Sequence, residues 1–233
     1  MSGGSATYVK ALRERWGVDE RLSTPVLAVR RNCAGVHVHT RAGVEQFDQV
    51  VLTAHADQSL AMLADASDVE REILGSIPYQ LNETVLHTDA SLLPQNRKAW
   101  AAWNAFVPRN HDEQCTVSYC MNLLQGLKSA PPLIVTLNRT HAIAPGKILR
   151  RMQYHHPVYS HRSVQAQARR QEIQGRRGTW FAGAYWGWGF HEDGLRSAVE
   201  VCRALGEDWA VSERAGELQR SAGAVLAGVE FAT

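Results

Sequence analysis

"FAGAYWGWGFHEDGLRSAVE", residues 181–200, combines glycines, bulky aromatics and an acidic pair in one short segment. It contains four glycines within twenty residues. A glycine lets a ligand or another backbone approach to contact distance, because no Cβ intervenes. The bulky aromatics between the glycines offer flat apolar walls with a polar edge, and they are Tyr185, Trp186 and Trp188. The stretch therefore allows a ligand or another backbone to lie close to the main chain beside aromatic walls.

The second half of the stretch changes to a helical pattern. Apolar residues then recur at helical spacing, at Leu195, Ala198, Val199, Cys202 and Leu205. Glu192 and Asp193 stand where negative charge complements the exposed N–H groups of a helix start. We predict a strand over Thr179–Gly183, a glycine turn to about Phe190 and a helix that begins at His191.

Length, charge and cysteine usage limit the class of protein. A chain of 233 residues can bury one good core or two small domains. Its 25 Lys and Arg nearly balance its 23 Asp and Glu, so nothing indicates a nucleic acid partner. The four cysteines form no C-x-x-C pair, and the sequence shows neither a signal peptide nor an apolar stretch of membrane-spanning length. We therefore expect a reduced, cytoplasmic protein without a transmembrane segment.

The rest of the chain has two kinds of sequence pattern. Residues 5–16 predict a short helix, and three β-rich runs over 21–54 predict a small meander that ends in an apolar strand. Residues 56–79 predict two short helices, with Ser67 and Glu70 at capping-box spacing. Five broad β-rich segments then predict one mostly antiparallel sheet, and a helix follows over 161–175.

This pattern predicts an α/β (α+β) fold with a discontinuous organisation. We expect residues 1–54 and 178–206 to form one domain, and residues 55–177 to form an inserted domain of antiparallel sheet and helices. Residues 207–233, rich in alanine and glycine, predict a C-terminal helix or tail.

Four motifs resemble the C-terminal part of the flavin-containing amine oxidase superfamily, which has a glutathione-reductase-like fold. They are Phe181-Ala182-Gly183, Glu192-Asp193-Gly194, "TPV" at 24–26 and "VVLTAH" at 50–55. The resemblance covers roughly residues 3–206 and is nearest to bacterial NAD/FAD-binding amine-oxidase-like oxidoreductases. Because that group is often associated with cyclopropane-fatty-acid synthase-like methyltransferases, the resemblance suggests a fatty-acyl or lipid substrate instead of an amine.

The resemblance implies an incomplete FAD-binding domain and an inserted substrate domain. The main chain at Gly183 would lie near the diphosphate and ribityl chain, and the valine of "TPV" would meet the adenine ring. N–H groups near Asp193, Gly194 and Leu195 would face the N1–C2=O edge of the flavin, where the positive end of a helix stabilises the reduced anion. The implied FAD contacts are Val26, Gly183, Ala184, His191, Asp193, Gly194 and Leu195.

One family feature is missing from the sequence. Members carry a β-strand followed by G-x-G-x-x-G, which binds the pyrophosphate on a helix N-terminus. Gly187 and Gly189 give only G-x-G, and no such motif occurs elsewhere. We therefore interpret the chain as a C-terminal fragment, a split gene product or a truncation. A separate N-terminal FAD-binding chain or a homodimer would complete it, and the chain alone is expected to be inactive.

The substrate and catalytic candidates each have a structural alternative. Trp103, Asn104, Tyr119 and Tyr185 are candidates for the substrate pocket. Core packing is the alternative for the first three, and shielding of the flavin ring from water is the alternative for Tyr185. No catalytic residue is assigned, but the candidates are His191 and Trp186. The imidazole of His191 could donate to the flavin or modulate proton transfer, or it could cap the helix. Trp186 could instead only shield the flavin ring from water.

A metal site is not expected. His111, Cys115, His155, His156 and His161 match no compact zinc spacing. Two functions remain open: an FAD-dependent oxidoreductase or its C-terminal fragment, and a non-catalytic remnant that binds a hydrophobic ligand or a partner without flavin.

Overall fold

The computed structural model describes residues 4–108 and 115–207. No helix within these two ranges is both long and apolar enough to cross a membrane. The predicted helix or tail over 207–233 lies outside the described residues, except for residue 207 itself.

The first part of the chain forms a helix and a meander. Helix α1 spans Ala6–Arg13 and buries none of its residues. Strands β1 Ala28–Asn32, β2 Gly35–Thr40 and β3 Gly43–Phe47 form an antiparallel sheet in that order. At Gly35 φ is +127°, and a Cβ there would lie 2.6 Å from the carbonyl oxygen of Phe47. The predicted helix and meander are confirmed, and only glycine fits the turn between β1 and β2.

Strand β4, Val50–Leu52, leaves the meander and leads into two helices. Helix α2 spans Ala56–Met62 and helix α3 spans Asp68–Gly75. At the start of α3, Ser67 Oγ accepts from the Glu70 amide at 3.3 Å, and Glu70 Oε2 accepts from the Ser67 amide at 2.7 Å. The predicted capping box is therefore present.

Five strands form the predicted antiparallel sheet. They are β5 Tyr79–His87, β6 Trp103–Phe106, β7 Thr116–Cys120, β8 Ile134–Leu137 and β9 Ile148–Pro157. Their spatial order is β6-β7-β8-β5-β9, and a short helix α4, Met121–Gln125, connects β7 to β8. The long pairing of β5 with β9 runs from Tyr79 opposite Pro157 to His87 opposite Ile148.

The last three elements bring the chain back to β4. Helix α5 spans His161–Ala168, strand β10 spans Thr179–Phe181, and helix α6 spans His191–Ala204. Strand β10 pairs in parallel with β4. On its other edge, the amide and carbonyl of Phe181 bind the side-chain amide of Gln174, at 2.9 and 2.7 Å. Gln174 therefore occupies the outer edge of this two-stranded sheet.

One apolar core joins these parts. It contains side chains from the meander, from α2, α3 and α5 or the residues next to them, and from the glycine stretch, among them Val29, Val36, Leu52, Ile73, Leu74, Ile173, Phe181 and Trp186. The predicted domain boundaries at 54/55 and 177/178 fall inside this core, because α2, α3 and α5 pack against β1, β2 and β10. The division into two domains stays a prediction.

A buried ion pair lies at the side of this core. The Arg31 side chain is fully buried, and its Nη2 donates to Glu70 Oε2 at 2.9 Å. Its Nε donates to Asp65 Oδ1 at 3.0 Å. Burial opposes ionisation of Glu70, but the hydrogen bonds from Arg31 and Ser67 outweigh it and lower the Glu70 pKa. The pair therefore stays charged and ties β1 to α3.

A buried histidine makes the stability of the large sheet depend on pH. His87 is fully buried, its Nε2 lies 2.8 Å from Thr136 Oγ1, and its Nδ1 accepts from the Asp89 amide. Burial lowers the pKa of His87 below its ordinary value of 6.5. The unfolded chain then binds a proton that the folded chain does not, so stability should fall as the pH drops below about 6.5.

Thermal unfolding followed by circular dichroism between pH 7.5 and 5 would measure this effect. The H87Q variant should show a flatter dependence on pH than the wild type in this range. The same substitution at the exposed His141 is the control and should leave the slope as in the wild type. An unchanged slope in H87Q would contradict the assignment.

Candidate functional site

The site begins where β10 ends in the glycine stretch. The Ala182 amide donates to the Leu52 carbonyl at 3.0 Å, which completes the pairing with β4. The next amide, that of Gly183, donates to Ser197 Oγ at 2.9 Å. Since Ser197 lies in α6 and also donates to the Gly194 carbonyl at 2.7 Å, its hydroxyl fixes the strand end against the helix.

Asp193 shapes the turn between β10 and α6. Its Oδ2 accepts from the amides of Trp188 and Phe190, at 2.9 and 3.1 Å, and its Oδ1 accepts from Arg196 at 2.9 Å. The carboxylate is buried, and a Cβ at Gly187 would lie 2.3 Å from it. The Asp193 side chain therefore caps the helix and braces the turn.

The amides of α6 that lack a carbonyl partner belong to other residues than those predicted from the sequence. The amides of Asp193 and Gly194 both bond to the Phe190 carbonyl, at 3.0 and 3.2 Å, because the helix already begins at His191. The first amides of a helix have no carbonyl partner within it, and here these belong to His191 and Glu192. The donors predicted near Asp193, Gly194 and Leu195 are therefore shifted to the first two residues of α6, at the positive end of its dipole.

A groove of about 750 Å³ opens at this end of α6 and is called the α1–α6 groove below. One wall comes from α1 and the residues after it, with Tyr8, Ala11, Leu12 and Arg15. The other wall comes from the turn and α6, with Ala184, His191, Glu192, Gly194 and Leu195. Its volume is typical of a site for a cofactor or small ligand, and most of its lining side chains are apolar.

The structure brings together four of the seven predicted cofactor contacts. Ala184, His191, Gly194 and Leu195 line the α1–α6 groove. Gly183 and Asp193 lie behind it, where Gly183 bonds to Ser197 and Asp193 braces the turn. Val26 is partly exposed, lies before β1 and does not line the groove.

The predicted substrate residues divide into two groups. Trp103 on β6 is paired with Tyr119 on β7, and their rings meet edge to face with centroids 5.4 Å apart. Asn104 is the next residue along β6 and therefore points to the opposite face of the sheet. Its amide donates there to the carbonyls of Ala101 and Ser118, at 2.6 and 3.2 Å. Only Trp103 and Tyr119 share a face.

Sequence reasoning missed Phe190 as a member of this aromatic group. Its ring lies nearly parallel to Trp103, with centroids 6.3 Å apart and an interplanar angle of 28°. Phe190 immediately precedes α6 and is next in sequence to His191, which lines the α1–α6 groove. The available signal in the sequence was an aromatic residue directly before the predicted helix start at His191.

Tyr185 and Trp186 belong to the core. They are 3% and 7% exposed, and Trp186 Nε1 donates to the Phe181 carbonyl at 3.1 Å. Burial raises the pKa of Tyr185, so its hydroxyl stays protonated. Neither residue lines the α1–α6 groove, and both pack in the apolar core. Trp188, by contrast, is 62% exposed.

No group of three or more His, Cys, Asp or Glu side chains could hold a metal ion within residues 4–108 and 115–207. His111 and the other residues of 109–114 lie outside these ranges.

Residues 1–85 match the family of flavin containing amine oxidoreductases. The match covers α1, the meander, β4, the two helices and most of β5. The glycine stretch at 181–200 lies beyond it. No curated protein matches the chain in sequence.

Solved structures extend the comparison to nearly the whole chain. A CLA-producing fatty acid isomerase from P. acnes is 16% identical with a TM-score of 0.59, over 86% of this chain and 52% of its own. A putrescine oxidase bound to putrescine is 8% identical with a TM-score of 0.59, over 87% and 53%. The chain has the flavin amine oxidase fold. A putative protoporphyrinogen oxidase from Exiguobacterium sp. 255-15 agrees, at 20% identity and a TM-score of 0.55, over 87% and 51%.

The flavin amine oxidase fold confirms the resemblance and the mixed fold predicted from the sequence. The chain spans about half the length of the solved structures that it matches. Its residues fit the ring end of a flavin, because the α1–α6 groove combines apolar walls with the open amides of α6. The sequence contains no G-x-G-x-x-G loop for a pyrophosphate.

Proposed function

We propose that the chain forms the part of an FAD-dependent oxidoreductase that closes over the flavin ring. The observation that carries this proposal is the α1–α6 groove, where four residues singled out from the sequence meet at the positive end of α6. Bound there, FAD would accept a hydride from substrate and pass the electrons to O₂ or another acceptor.

The residues of the groove have separate tasks in this proposal. The amides of His191 and Glu192 stabilise negative charge on the pyrimidine edge of the flavin. Tyr8, Leu12 and Leu195 exclude water from the ring. The His191 imidazole holds or moves a proton at the same edge, and Asp193 keeps the turn in place from behind.

The substrate proposed for this site is a small apolar or acyl compound. Trp103 and Tyr119 lie on one face of the large sheet, and Phe190 stacks on Trp103 directly before the groove residue His191. None of the three side chains carries a charge. Aromatic faces contact an acyl chain without leaving a charge unpaired. Reduction of the FAD-loaded complex by simple amines, and by no fatty-acyl compound, would contradict this part of the proposal.

The proposed partner is a separate polypeptide with the dinucleotide-binding strand and glycine loop, or a second copy of the chain. Half of the length of the matched structures has no counterpart here, and the sequence lacks a pyrophosphate loop. In this proposal the 233-residue chain binds flavin but does not turn over substrate alone.

Titration of the purified chain with FAD tests the proposal. We expect a saturable, one-to-one change in flavin fluorescence and absorbance. The L195E variant should abolish it, because a carboxylate in the apolar wall repels an anionic cofactor. L81E is the matched control, since Leu81 is similarly exposed but lies on β5, outside the groove. Absence of binding by the wild-type chain would refute the proposal for this chain.

The second candidate function is a non-catalytic module that binds a hydrophobic ligand or partner. The exposed apolar side chains favour it, among them Tyr8, Leu12, Trp16, Trp188 and Leu195. A chain that binds a hydrophobic dye at the α1–α6 groove, but neither FAD nor riboflavin, would support this second function and exclude the first.

A further inference from the structure

Arg15 is the one lysine or arginine among the side chains that line the α1–α6 groove. It forms no ion pair or side-chain hydrogen bond with any residue of 4–108 or 115–207. Its neighbours on the same segment are paired: Arg13 contacts Glu20 at 2.7 Å, and Arg21 contacts Asp19 and Glu45. A free guanidinium thus lies at an otherwise apolar wall.

The charges around the groove favour an anion with a flat apolar body. Arg15 lines one wall of the groove. On the other wall, the first turn of α6 contributes two amides without a carbonyl partner, at the positive end of this fourteen-residue helix. Glu192 is the one carboxylate in the lining, and it points from the exposed first turn of α6. A guanidinium presents a planar fork of donors that matches a phosphate with two parallel hydrogen bonds.

We propose that Arg15 binds the phosphate of the flavin nucleotide in the α1–α6 groove. This inference rests on the proposed function, because it places the flavin in the same groove. Arg15 would supply a phosphate contact from α1's C-terminal extension, in a sequence that has no glycine-rich phosphate loop. The ring would lie against Tyr8, Leu12 and Leu195, and the phosphate would lie toward Arg15.

Three flavins that share a ring but differ in phosphate content test the inference. Riboflavin has none, FMN has a monophosphate and FAD has a diphosphate. Their dissociation constants are measured by flavin fluorescence with the wild-type chain, R15Q and R13Q. R13Q removes the same charge from α1, but at an arginine that already has a carboxylate partner.

We expect wild type and R13Q to bind FMN and FAD about tenfold more tightly than riboflavin. A tenfold difference in dissociation constant corresponds to the free energy of one charge-assisted hydrogen bond to a phosphate. R15Q should bind all three with the affinity of riboflavin. Added salt should weaken FMN binding to wild type and leave riboflavin binding unchanged.

Two results would overturn the inference, and they are distinguishable. If wild type binds riboflavin, FMN and FAD equally well, or if R15Q and R13Q behave alike, the flavin binds but Arg15 does not hold its phosphate. If none of the three flavins binds to the wild-type chain, the proposed function fails together with this inference.

Discussion

Replacing Glu70 with alanine is expected to lower the free energy of unfolding by about 3–5 kcal/mol, because it leaves a buried guanidinium short of its main partner. Arg31 is fully buried, and Glu70 is 2% exposed. Asp65 still accepts from Arg31 Nε in the variant, so the loss should fall within this range and not exceed it. Urea unfolding monitored by circular dichroism would measure the change.

The E72A variant provides the matched control on the same helix. Glu72 is 56% exposed and pairs with Arg169 at 2.6 Å. Surface ion pairs contribute about 0–1 kcal/mol, so E72A should unfold close to the wild type. Equal losses in E70A and E72A would show that burial does not distinguish the two pairs.

The D193A substitution is expected to cost about 2–6 kcal/mol and to abolish flavin binding. It leaves the amides of Trp188 and Phe190 without their acceptor inside a tight turn, at about 1–3 kcal/mol for each unsatisfied group. The turn then no longer fixes the start of α6, where the proposed flavin contacts lie. Thermal unfolding measures the first effect, and riboflavin titration measures the second.

The neighbouring acid serves as the control for stability. Glu192 is exposed in the first turn of α6, so E192A should change the free energy of unfolding by about 0.5 kcal/mol or less. A D193A chain that is as stable as E192A would show that the turn does not depend on the buried carboxylate.

Local patterns predicted the glycine stretch well. The strand before it, the glycine turn and the helix start at His191 all follow from residue types whose preferences are set by neighbours along the chain. The antiparallel sheet and the capping box at Ser67 follow for the same reason. These elements could be predicted without knowing which residues far apart in the sequence contact each other.

The sequence did not show which side of each element is buried. On α6 the apolar Leu195 is half-exposed, whereas Asp193 and Ser197 are buried because they bind the main chain of the turn. Tyr185 and Trp186 lie in the core and not at the site, since β10 enters the core just before them. Whether such a side chain is buried depends on tertiary contacts, and the periodicity of apolar residues along a helix or strand carries no information about them.

The position of α1 also could not be predicted. The apolar spacing of Tyr8 and Leu12 indicated a helix, but not that this helix faces the start of α6, nearly two hundred residues later. Arg15 therefore did not stand out among the 25 basic residues of the chain.

The side chain of Gln174 decides in which direction the small parallel sheet can grow. It occupies the amide and carbonyl that Phe181 of β10 would offer to another strand. Leu52 uses its main chain toward β10, so the amide and carbonyl of Val51, whose side chain is 40% exposed, point to the other edge. Any wider sheet must add its next strand beside β4. Strand β10 is then its terminal strand, and β4 becomes an interior one.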